Sequence, residues 1–155
     1  MNQEKITKLT ALSNELEELL KKMMERTVAL MSCENEEITD MQTLIDERQK
    51  YVDELMKKRA EVDEIINEQD KPTAEILTAM FSKNDNLLTI PSEMKELRAA
   101  TLSLRSQHSL SSAQEEAMQK QFQSRYDEIK QKLVSLNSDK KKIQLMVNLR
   151  IKLIL

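Results

Sequence analysis

Glycine is absent from all 155 residues. At an average usage of about 7%, a chain of this length would carry roughly ten. Glycine supplies the positive φ of tight turns and lets backbone approach a phosphate closely. Its absence excludes the glycine-rich loops of P-loop and dinucleotide-binding proteins. It also argues against sheets joined by two-residue hairpins, whose turns favour Asn-Gly or Asp-Gly. Tryptophan is missing too, and aromatics make up only 3% of the chain. Cys33 is the single cysteine, so an internal disulfide or a cysteine metal cluster is impossible, which fits a reducing compartment. It lies at the end of the first expected helix, where the dipole raises a thiol's pKa, the opposite of what a reactive cysteine needs.

His108 is the only histidine, so any Ser–His–Asp triad would have to use it. It falls on a polar helix end with Arg105 nearby and no acid within one turn, which reads as a structural, partly exposed residue. Di-iron bundles need a Glu-x-x-His pair on each of two helices, and one histidine cannot supply that. The glutamates are spread in mixed-charge patterns on solvated helix faces. No enzyme, cofactor or metal site is expected. Long apolar runs are also lacking. The N-terminus "MNQEKITKLTALSNELEELL" shows no signal-peptide pattern. The last thirteen residues are too short for a membrane span of about 20 residues and contain Arg150 and Lys152. A cytoplasmic chain is expected.

What is present is charge, methionine and helical periodicity. A third of the residues are charged and the net charge is −3. Residues 1–70 hold 10 basic and 18 acidic side chains, a net −8, whereas residues 71–155 hold 14 and 9, a net +5. Such halves attract when folded together, which favours an intramolecular bundle over an extended rod. The only basic run, "DKKK" at 139–142, is short and without interleaved aromatics, so nucleic acid is not an expected partner. The ten methionines suit a helical core and adaptable surfaces.

The pattern predicts an all-α fold of one domain over 1–155, an elongated helical bundle with coiled-coil character. Leu9, Leu12, Leu16, Leu19 and Met23 step by three and four along a first helix from about residue 3 to Ser32. After "SCENEE", with Asn35 as N-cap and Glu36 and Glu37 in the first turn, a second helix follows Ile38, Met41, Ile45, Arg48, Val52, Leu55, Arg59, Val62 and Ile66. The short connection makes residues 3–69 an antiparallel hairpin about 45–50 Å long. "DKPT" stops it, and a crossover spans 70–91. There "TAEILTAMF" reads as a short helix and "SKNDNLLTIP" as irregular and mobile. Residues 92–155 hold the C-terminal helices. Met94, Leu97, Thr101, Leu104 and His108 stripe a third helix. A break follows in "HSLSSAQEE", where Ser112 and Glu115 are spaced as a capping box. The last helix is expected from there to or near Leu155, along Phe122, Tyr126, Ile129, Leu133, Leu136, Ile143, Val147 and Ile154.

Two features of the pattern call for explanation. Arg48 and Arg59 occupy apolar positions of the second helix. Arg48 is expected to be partly buried and to fix hairpin register through a pair with Glu18, placed level with it by a turn near residue 34. Arg59, opposite Thr10 and Ala11, is expected to snorkel. In "IQLMVNLRIKLIL", 143–155, Ile143, Val147, Ile151 and Ile154 form one stripe, and Leu145, Met146, Leu149 and Leu153 another on roughly the opposite side. Three readings stay open for the second stripe: burial within the bundle, a homodimer contact, or a partner-binding surface.

The run "ELEELLKKMMERTVALMSCENEEITDMQTLIDERQKYVDELMKKR" resembles the N-terminal hairpin of the bacterial flagellar export chaperones that serve hook-associated or filament-cap proteins. The family pattern is a leucine-rich helix, an acidic turn and a helix with spaced Leu, Ile and Arg. It falls on Ala29 and Leu30, on Glu34 to Glu37, and on Leu44, Ile45, Arg48 and Leu55, within residues 10–66. The resemblance implies a cytosolic, non-enzymatic chaperone that binds the helical end of a secreted flagellar substrate. Such a chaperone keeps its substrate unpolymerised and delivers it to a component of the export apparatus. Leu145, Met146, Leu149 and Leu153 would then serve as anchors for the substrate helix. The competing expectation is a structural or adaptor coiled coil that bridges other proteins.

Overall fold

The computed structural model describes residues 1–33, 38–82, 89–135 and 144–150. Within them the fold is all-α, with no strand. Helix α1 spans Gln3–Ser32 and starts where the Asn2 side chain accepts the Lys5 N–H at 2.9 Å. Eight of its apolar side chains are buried: Ile6, Leu9, Leu12, Leu16, Leu19, Leu20, Met23 and Leu30. This stripe is wider than a two-helix seam needs, because α1 is covered from two sides. Helix α2, Ile38–Asn67, and helix α4, Lys95–Ser135, each pack along it. Two small polar residues also lie in the interior, Ser13 and Thr27. Each hydroxyl donates to the carbonyl four residues earlier, at 2.9 and 3.1 Å, so neither donor is left unsatisfied.

Three ion pairs mark the register of the α1–α2 hairpin: Arg26–Glu47 at 2.6 Å, Lys58–Glu15 at 2.9 Å and Lys5–Glu68 at 3.1 Å. Eleven residues back along α1, from 26 to 15, match eleven forward along α2, from 47 to 58, so the helices are antiparallel and straight against each other. Exposed pairs contribute only about 0.2–1 kcal/mol each, whereas each buried leucine is worth about 1.5–3 kcal/mol. Packing therefore holds the hairpin, and the pairs select among registers of similar packing.

Helix α3, Lys71–Phe81, turns the chain at the lower end. Asp70 caps it by accepting the Thr73 N–H at 3.2 Å, and Pro72 sits in its first turn, where no N–H is needed. Leu77, Met80 and Phe81 plug the bundle between Ile6, Leu9, Val62, Ile66 and Leu97. A 3₁₀ turn over Ser92–Met94 leads into α4. Ser103 donates to Glu17 at 2.7 Å midway along α1, and Gln121 and Arg125 donate to the Met31 carbonyl at 2.7 and 3.2 Å near its upper end, so α4 runs parallel to α1. The chain thus goes up, down and up again.

Several expectations need correction. The break expected in "HSLSSAQEE" is absent, and α4 continues through it for 41 residues, with Ser111 buried and Ser112 exposed on its flank. Serine is a mediocre helix former, but its penalty is a fraction of a kcal/mol and packing on α1 outweighs it. Nor does one helix run from there towards Leu155. Helix α4 ends at Ser135, and residues 144–150 form a separate helical stretch that folds back along it. Arg150 donates to the Tyr126 hydroxyl at 3.1 Å and lies over that ring at 5.2 Å. The expected N-cap at Asn35, the stripe residues Leu136, Ile143, Ile151 and Ile154, and most of the "SKNDNLLTIP" crossover lie outside the described residues.

Candidate functional site

Helices α2 and α4 both lie on α1 but scarcely touch each other. Between them runs a groove of about 1060 Å³. Its floor is Leu16, Leu20 and Met23 of α1. One wall is α2 from Arg48 to Asp63, with Val52, Leu55 and Met56 facing in. The other is α4 from Leu104 to Gln119, and Phe81 closes the lower end. Both walls are about 22 Å long at 1.5 Å per residue. The floor is nearly covered, while Met56 on the rim is 68% exposed.

The charged groups of the groove each have a polar partner. Arg48 is half-buried near the upper end and touches all three long helices. Its Nε donates to Thr27 Oγ1 of α1 at 3.1 Å, and its Nη2 donates to the Glu115 carboxylate of α4. Arg59 lies over the Phe81 ring at 5.7 Å and 3.8 Å from Asp63. Arg105 donates to the Ser82 carbonyl. His108 is an exposed rim residue of the same groove. Among the described residues no cluster of His, Cys, Asp or Glu is arranged to hold a metal ion.

The expected pairing of Arg48 with Glu18 is replaced by the Glu115 bridge. Glu18 is 67% exposed and 3.7 Å from Lys21 on its own helix. The cause is register. A turn near residue 34 would put Arg48 level with Glu18, but α2 starts at Ile38 and Arg48 lies beside Thr27. That contact is nine residues, about 13 Å, further up α1. Arg59 is exposed, and its guanidinium lies over the Phe81 ring rather than opposite Thr10 and Ala11.

The C-terminal anchors separate. Met146 is half-buried and Leu149 is 5% exposed, and both share a small apolar pocket with Met41, Phe122, Tyr126 and Ile129. Leu145 is 40% exposed, and Val147, on the opposite stripe, is 42% exposed. Leu153 lies outside the described residues. Of the three readings open for the second stripe, Met146 and Leu149 follow burial within the bundle, whereas Leu145 is exposed. The aromatic face of α4, Phe122 and Tyr126, gives those longer side chains a better seat than Val147 would find. The groove itself went unread. Met56 stands beside Leu55 but off the heptad stripe, and that placement was the one available sign of a second apolar face.

The site is thus a largely apolar, helix-length groove on a bundle of three long helices. No protein-family model matches the chain, and neither a curated protein nor a solved structure does. No helix among the described residues is long and apolar enough to cross a membrane.

Proposed function

We propose that this chain is a cytoplasmic, non-enzymatic chaperone of flagellar type III export. It holds a helical segment of a hook-associated or filament-cap protein in the α2–α4 groove until delivery to the export apparatus. The observation that carries the reading is the groove: an apolar trough as long as four helical turns, open along one side of an otherwise packed bundle. An amphipathic helix that polymerises through its apolar stripe is kept monomeric when that stripe is covered. Methionines at the floor and rim, Met23 and Met56, supply flexible contacts suited to such an occupant. The resemblance of residues 10–66 to the hairpin of the flagellar export chaperones gives the reading its particular client class.

The test is co-elution of the purified chain with purified hook-associated and cap proteins, alongside measurement of client polymerisation. A complex of defined stoichiometry and suppressed polymerisation are expected. Simultaneous capture of two different partners, without effect on polymerisation, would instead make the chain an adaptor.

A further inference from the structure

The groove has a neighbour that identifies what it is built to hold. Residues 144–150 lie as a helix in the space between the start of α2, at Met41, and the end of α4, at Phe122 to Ile129. The groove lies between the same two helices lower down, from Arg48 and Glu115 to Phe81. The two are parts of one lane, the fourth position of an up-down-up-down bundle. Among the described residues, the helix at 144–150 fills its upper part and the lower part is open.

Charge narrows the occupant further. The groove is lined by three arginines and three carboxylates: Arg48 pairs with Glu115 and Arg59 lies 3.8 Å from Asp63, while Arg105 donates to the Ser82 carbonyl and Glu116 lies 3.5 Å from Lys120 outside the groove. A field of one sign, which would steer a strongly acidic or basic partner, does not develop along such a rim. The apolar side chains on its walls are Val52, Leu55, Met56, Leu104 and Phe81.

We infer that the open lane takes one amphipathic helix of about four turns from another protein, completing a four-helix bundle, and that it selects this helix by length and apolar stripe rather than by charge. The inference rests on the proposed capture of a client helix and specifies the helix that the same groove accepts. The occupant's length is bounded by Phe81 below and by the helix at 144–150 above, about 15 residues at 1.5 Å each over 22 Å.

The experiment uses fluorescein-labelled synthetic helices of 9, 16 and 23 residues, each with leucine at i, i+3, i+4 and i+7 spacing. Two versions of the 16-residue peptide have Lys and Glu interchanged. Affinity is read by fluorescence anisotropy against the full chain and against Met56→Glu. Met56 is exposed, so this variant is expected to fold, and circular dichroism checks that it does.

Affinity should rise at least about tenfold from 9 to 16 residues, and by no more than about twofold from 16 to 23. Interchanging Lys and Glu should change it less than about threefold, and Met56→Glu should weaken it at least about tenfold. A continued steep rise at 23 residues, a strong dependence on peptide charge, or self-association of the chain abolished by Met56→Glu would each overturn the inference. If intact client proteins bind while no peptide does, or bind Met56→Glu unchanged, the inference fails and the chaperone reading survives. If intact clients do not bind at all, the chaperone reading fails as well.

Discussion

At the scale of single residues, Arg48 shows why a charged side chain can occupy an apolar heptad position. Its stem lies along the α1–α2 seam, and its guanidinium reaches a hydroxyl on α1 and a carboxylate on α4. A leucine there would pack one neighbour and leave Glu115 without its partner. The planar fork of arginine serves two acceptors at once, which lysine would not reproduce. A double-mutant cycle isolates this coupling from the packing of the stem. With Arg48→Met and Glu115→Gln, the coupling free energy from urea denaturation should be about 1 kcal/mol, since the pair is half-buried and charge-assisted. The same cycle between Arg48 and Glu18 should give a value near zero. A larger coupling to Glu18 than to Glu115 would mean that the hairpin adopts the register first expected from the sequence.

At the scale of elements, α3 is the clearest case of local chemistry deciding a boundary. The Asp70 carboxylate is held below its ordinary pKa of 3.8, first by its side-chain hydrogen bond with Thr73, which favours the charged form. A depressed carboxylate contributes stability that is present above 3.8 and is lost as pH falls through its folded value. Asp70→Asn keeps a capping oxygen but removes the titration. Wild type should therefore lose its advantage over this variant on going from about pH 6 to about pH 3, read as the difference between their urea midpoints. A difference constant with pH would mean that the Asp70 charge has no part in the cap. Helices α1, α2 and α3 were legible because heptad steps, Pro72 and the polar residues at their ends all agree on where each begins and stops. The serines near His108 look like a cap in the sequence, but α4 continues through them with Ser111 buried and Ser112 exposed, because packing on α1 outweighs their small helix penalty. Between Ser135 and the helix at 144–150 the sequence holds Asn137, Ser138 and Asp139, residue types common in turns, set between apolar periods that read as one helix. The groove had almost no sign in the sequence. A lane without a helix leaves the sequence of its walls nearly unchanged, because their apolar residues also pack on α1.

At the scale of the whole molecule, the bundle has two tiers of unequal strength. The lower one is a large cluster around Leu9, Leu12, Val62, Leu77, Met80 and Leu97, with α1 covered by three helices. The upper one gathers only Leu30, Cys33, Met41, Met118 and Phe122, beneath Met146 and Leu149. Arg48 and its bridge to Glu115 stand near the boundary. Opening free energies follow the apolar contact that must be broken, so the tiers should not open together. Native-state hydrogen exchange should find the slowest amides in α1 between Leu9 and Leu20. It should find a separate, less stable unit comprising 118–135 and 144–150. Leu149→Glu places a charge where a 5% exposed leucine sits. It should accelerate exchange throughout that upper unit, by about ten- to hundredfold for a loss of 1.5–3 kcal/mol, while leaving Leu9 to Leu20 unchanged. A uniform acceleration along the whole of α1 would mean one cooperative core, and the open lane would then be bordered by rigid walls from end to end. Two units would mean that the upper part of the lane loosens on its own, so that any helix docked below it would be held chiefly by the lower tier.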